Sequence, residues 1–389
     1  MKNTVIGNLY NAVSFKMVRL LSASAILALG TTNCAMDAQS GEEPASTSQA
    51  VTTSDAGFVW SGATTGSFDA NSSYSYNSSG GTNHITQLAT GQYRVDFPSL
   101  GSNVFGDVQV TAYGSGSERC KVSSWGASGT TLQVFVNCFS ATGAASNTLF
   151  TANYVRRSGA PGQEGGYVWA NQASSASYTA STSYQWNSTG GAITITHTPG
   201  TGAYSVSLAG QNMGGGTVEV TAYGANNTYC NVAGWGGSVI NVACFNGSTG
   251  AAAESQFDLI FANLGSPNNV FTYSYAWANQ PSAASYNPDS TYERGFVVCD
   301  KCPSVQPNAT ITRSSVGHYS VRFPNVAASS AASNVKVTGY SSGSDTCKVT
   351  GWFTSGWDGV ANVACFSAAG AAVDAFYTIT YSSLVFIIG

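Results

Sequence analysis

Apolar and polar residues alternate over short runs along most of this chain, and no long amphipathic helical period appears. Tyr93, Val95 and Phe97 alternate with Arg94 and Asp96, the pattern of an antiparallel strand with one wet face. Leu132, Val134, Val136 and Cys138 share one face of another strand, and Cys120 and Val122 share one face of the strand before it. The Gly- and Ser-rich stretch from Ser123 to Thr130 reads as the turn between them.

This pattern is copied. Stretches beginning at Val110, Val220 and Val337 each carry a Tyr, a Cys, a Val two positions after the Cys, a Trp five after it, and a closing Val-x-Cys-Phe. An opening strand recurs as Phe58-Val59-Trp60, Tyr167-Val168-Trp169 and Tyr275-Ala276-Trp277. The period of roughly 110 residues exceeds any solenoid repeat, so each copy is expected to be a whole domain. About seven short strands are expected per copy. They comprise the Trp strand, a Tyr-rich segment (Phe68 and Tyr74 in the first copy), a short apolar strand, Gly-x-Tyr-x-Val, the Cys-bearing pair and a last strand around Phe150, Phe257 or Phe376. The expected fold is all-β: three tandem β-sandwich domains, Ig-like or jelly-roll, over 57–155, 167–262 and 273–389. Linkers span 156–166 and 263–272, both holding Gly, Pro, Ser or Asn.

The chain has 9 cysteines. Cys120–Cys138, Cys230–Cys244 and Cys347–Cys365 are expected as one disulfide per domain, each worth roughly 3 kcal/mol on the chain-entropy model. Cys299 and Cys302 flank Asp300-Lys301 in the third copy, where the first two copies carry an Asn-Ser-Ser/Thr-Gly-Gly turn at Asn77 and Asn187. A redox dithiol lacks its helical context and a zinc site lacks a second ligand pair, so a small structural disulfide is the expectation. Cys34 is left over. Lys2, Lys16 and Arg19 precede an apolar run from Leu20 to Leu29, too short for a membrane span and suited to a signal-peptide core over 1–34. Gly30-Thr31-Thr32-Asn33-Cys34 resembles a bacterial lipoprotein cleavage site, which implies a lipid anchor on Cys34. Residues 35–56 are Ser, Thr, Ala, Gln and Glu with few large apolar groups, the composition of a flexible tether.

Only 8% of residues are charged, and hydroxyls and amides fill the polar positions, as in extracellular all-β proteins. The formal charge of −4 argues against a nucleic-acid partner, which needs a basic face. His84, His197 and His318 fall at no shared repeat position, acids are scattered, and no nucleophile elbow, phosphate loop or zinc motif stands out. No cofactor, metal or catalytic residue is expected. Tyr74, Tyr76, Tyr184, Trp186 and Tyr292, in Ser/Asn-rich stretches, are the candidate ligand-binding residues, suited to stacking on sugar rings or anchoring a protein. Trp60, Trp169 and Trp277, with Trp125, Trp235 and Trp352, keep their spacing with the cysteines and read as structural.

The Val168-Trp169-Ala170-Asn171 opening and Val242-Ala243-Cys244-Phe245 closing resemble repeats in exported bacterial β-sandwich proteins of the lipoprotein kind. That resemblance brings no activity and no binding residue. The expected function is a non-catalytic surface binding, adhesion or structural protein, at the cell surface as a lipoprotein or secreted, with an extracellular protein or glycan as partner. A membrane enters only through a lipid on Cys34. A lectin-like carbohydrate binder and a secreted hydrolase with a site between modules are the alternatives.

Overall fold

A computed structural model describes residues 55–156, 164–263, 271–295, 308–326 and 332–384. Cys34, Cys299, Cys302, the signal segment and most of the tether lie outside the described residues. Each copy contributes two antiparallel sheets that stack as a sandwich, and single parallel bridges continue the sheets of copies one and two, and of copies three and one, into nine-stranded sheets. In copy one the larger sheet runs Ser67–Asp69, His84–Ala89, Gln92–Phe97, Thr131–Phe139, Arg119–Ser128, and the smaller runs Ser75–Asn77, Asp55–Trp60, Leu149–Arg156, Asp107–Tyr113. Copies two and three repeat both orders. The alternating Val, Ile, Phe and Tyr positions face inward and give each copy its own core.

Among the described residues each copy has nine strands, not about seven. The Tyr-rich segment is broken into two short strands by a single 3₁₀ turn. Asn71 and Ser181 cap that turn by accepting from Ser73 and Ser183 N–H, and a carboxylate oxygen of Asp289 accepts likewise from Thr291 N–H. Short polar side chains of this kind compete with a ladder by bonding their own backbone. The ladders also reach into segments read as tether and linker, through the pairs Asp55↔Arg156 and Glu164↔Asn263.

The Cys-bearing pairs are hairpins in which Cys120↔Cys138, Cys230↔Cys244 and Cys347↔Cys365 stand directly opposite and are bridged. Each incoming strand carries a β-bulge, between Val122/Ser124, Val232/Gly234 and Val349/Gly351. The extra residue re-phases the strand. Without it a Trp five positions after the Cys would face away from the core. With it Trp125, Trp235 and Trp352 stand opposite Val134, Ile240 and Ala361, which are buried core residues. The Gly of Gly-x-Tyr-x-Val is equally constrained. Gly91, Gly202 and Gly317 have φ of 67°, 63° and 70°, and their carbonyls accept from Cys138, Cys244 and Cys365 N–H. A Cβ there would meet backbone oxygen at 2.5, 2.6 and 2.7 Å, so only glycine fits.

The copies close into a ring. The larger sheet of each meets the smaller sheet of the next through one parallel bridge: Val122↔Tyr223, Val232↔Tyr340 and Val349↔Tyr113. Each smaller sheet is therefore buried on both faces, with Asp107–Tyr113 and its counterparts Thr217–Tyr223 and Ser333–Gly339 turned toward a common axis.

Candidate functional site

At each junction two Trp and two Tyr meet, mostly edge to face. Trp125 of copy one packs on Trp169 (5.7 Å between centroids), Tyr184 and Tyr223 of copy two. Trp235 meets Trp277, Tyr292 and Tyr340 at the second junction, and Trp352 meets Trp60, Tyr74 and Tyr113 at the third. Three of the five aromatic candidates, Tyr74, Tyr184 and Tyr292, are thus junction residues. Tyr76 and Trp186 stand outside the quartets, half-buried beside Phe58 (5.9 Å) and Tyr167 (6.1 Å).

The axis is polar, and its order is cyclic. Val110, Val220 and Val337 N–H donate to the hydroxyls of Thr221, Thr338 and Thr111 at 3.0, 3.3 and 3.3 Å, each in the neighbouring copy. The preceding position on the strand is Gln109, Glu219 or Lys336, exposed by only 3%, 1% and 5%. Lys336 pairs with Glu219 at 2.5 Å, Thr380 bonds the other Glu219 oxygen, and Thr221 Oγ1 donates to Gln109 Oε1. Three identical charges could not share this axis. A single chain can place a cation, an anion and an amide there.

A second ring is incomplete. Thr151 donates to Val335 O at 3.0 Å and Thr378 to Val218 O at 2.8 Å. The equivalent third residue is Asp258, fully buried, with neither carboxyl oxygen hydrogen-bonded to a described group. Its threefold-equivalent acceptor is the Val108 carbonyl, which a protonated carboxyl can serve and a carboxylate cannot. Burial, and then the charge of Asp107, hold the Asp258 pKa well above the usual carboxylate range. Asp107 is itself raised to about 7 by burial. Groups with folded pKa values above their unfolded ones hold extra protons in the folded state, so stability falls as pH rises from about 4 through the folded pKa. Asp258→Thr removes one such group and installs the residue of the sister copies. The variant should match the parent at pH 4 and exceed it by about 1–3 kcal/mol at pH 8 in urea unfolding. Equal differences at both pH values would show that Asp258 is not held protonated.

Two constellations look like chemistry. Ser67 Oγ, His84 and Asp69 form a chain on the edge hairpin, with His84 Nε2 2.8 Å from Ser67 and Nδ1 2.7 Å from Asp69. Sequence reading missed it because Ser67 and Asp69 sit on a short strand that the Tyr-rich run concealed. The distances suit a Ser-His-Asp triad. A triad, however, works in a water-excluding cleft with oxyanion donors, and here the Asp69 side chain is 70% exposed and His84 36%. Copies two and three place Thr179 and Asn287 at the Asp69 position.

The other is His197, 3.7 Å from Glu254 beside a groove of about 360 Å³ lined by Thr196, Thr198, Ser205, Asn241 and Ser342. The His197 side chain has no exposure, is stacked at 4.4 Å on Tyr204, and has neither ring nitrogen hydrogen-bonded to a described group. At the same position copy one has Gln87 donating to Asn147 (2.9 Å), and copy three has Arg313 donating to Asp374 (2.8 Å). Asn147 and Asp374 then accept from Gly91 and Gly317 N–H, and Glu254 from Gly200 N–H. An amide pair in copy one and an ion pair in copy three staple the hairpin turn to the segment before the last strand, while in copy two His197 only approaches Glu254, which ties the turn through Gly200 N–H. The Arg313 bond holds the Asp374 carboxyl down at about 2.

No family model, no curated protein and no solved structure matches this chain.

Proposed function

We propose that this chain is a non-catalytic, exported binding or adhesion protein, on the cell surface or secreted, whose ligand is an extracellular protein or glycan. The observation that carries the reading is the position shared by Gln87, His197 and Arg313, which pairs with an amide in copy one, lies 3.7 Å from a carboxylate without a hydrogen bond in copy two, and forms an ion pair in copy three, so its acid–base character changes from copy to copy. A turnover site cannot tolerate such exchange, and a scaffold can. Three disulfides support an oxidising, extracytoplasmic setting. Between copies, the described residues supply aromatic packing and Thr–backbone bonds at the junctions and the axis. The hydroxyl-lined groove of copy two favours a glycan as the second ligand class to test.

The test has two arms. In the first, the Tyr76→Ala/Trp186→Ala double variant, assayed below its own melting temperature, should lose at least about tenfold in binding to cell-surface protein or to a glycan array, since an aromatic anchor is worth about 2 kcal/mol or more. Unchanged binding would remove these residues from the site. In the second, a fluorophosphonate probe should leave Ser67 unlabelled by mass spectrometry. Stoichiometric labelling there would overturn the non-catalytic reading.

A further inference from the structure

At one end of the axis lies a cavity of about 50 Å³, bordered by Cys120, Cys230 and Cys347 from the three copies. Three cationic side chains, Arg119, Lys121 and Lys348, line it, and Glu118 is the one carboxylate that does. Lys348 takes Glu118 at 3.2 Å. Lys121, 2% exposed, donates to Asn226 Oδ1 and Thr228 Oγ1 at 2.8 and 2.9 Å, both neutral acceptors. Arg119, 7% exposed, sits over the Tyr229 ring at 4.5 Å and donates to Gly247 O and Ala368 O at 2.9 and 2.8 Å, one in each of the other copies. Its Nε has no partner among the described residues. Copies two and three hold Tyr229 and Thr346 at the Arg119 position, so the fused chain puts one guanidinium where a symmetric trimer would crowd three.

Two buried cations therefore lack a carboxylate among the described residues. Burial offers Lys121 an escape, lowering its pKa to about 7 so that it can shed its proton. Arg119 has none, because a guanidinium does not deprotonate in proteins. An unpaired buried charge is costly and calls for a counter-ion or a metal-like partner. We propose that the axial cavity binds a small inorganic anion, chloride, through Arg119 Nε, and that this ion completes the contact between the three copies. The volume has room for about three to five water-sized groups. That suits a monatomic anion with one or two waters and excludes a sugar acid or a nucleotide.

The experiment uses bromide as the probe. The mature protein is crystallised in sodium bromide and the anomalous difference map is calculated at the bromine edge. A peak in the cavity within hydrogen-bond reach of Arg119 Nε is expected. In parallel, replacing gluconate by chloride at constant ionic strength should raise Tm by about 2–4 °C, and Arg119→Met should abolish that rise. Bromide at surface lysines alone, an adventitious ion only, would overturn the proposal. So would a cavity holding water together with a Tm indifferent to the anion. If Arg119→Met fails to fold, the map of the unaltered protein decides.

Discussion

Lys336→Met should destabilise the protein by about 3–5 kcal/mol, because it leaves the Glu219 carboxylate buried and unpaired at the centre of the ring. The side chains of both partners are almost wholly shielded, 7% and 1% exposed, so water cannot replace the lost ammonium. The same pair on the surface would be worth less than about 1 kcal/mol. Adding Glu219→Gln should restore most of the loss, since Gln109 already occupies the equivalent position in copy one. Urea unfolding of the two single variants and the double variant closes the cycle. Single variants that cost no more than a surface pair would mean that the axis is solvated and the copies are not locked together.

Trp235→Ala should cost about 2–4 kcal/mol, below the full range for a buried indole because the ring is partly buried. Its ring touches Trp277, Tyr292 and Tyr340 across the junction, and its N–H donates to Gly215 O at 3.1 Å. The loss falls on two copies at once, so amide exchange should accelerate in strand Ser333–Gly339 as well as in Tyr229–Gly236. Trp357→Ala is the control. That side chain is 66% exposed at a hairpin tip and should change stability by no more than about 0.5 kcal/mol. Exchange confined to copy two in Trp235→Ala would show that the quartets fill space without coupling the sandwiches.

The period, the strand alternation and the cysteine spacing determined the individual sandwich. Tyr93, Val95 and Phe97 face the core as their alternation requires, and the opposed cysteines are bridged because both were in phase with that face. These are local properties, set within a hairpin or two. The bulge after Val122 is less local, because one added residue leaves composition unchanged yet turns Trp125 to the opposite face. Gln109, Thr111, Glu219, Thr221, Lys336 and Thr338 flank the core valines Val110, Val220 and Val337, and such a face would be wet in one sandwich alone. Only the closure of three copies decided that this face would be dry. A polar residue in a strand pattern reads the same whether its partner is water or a hydroxyl on a strand roughly 110 residues away, and its energetics differ only after assembly. The sequence therefore specified each sandwich and its disulfide, whereas the axis, the aromatic junctions and the burial of Arg119 and Asp258 exist only in the closed ring.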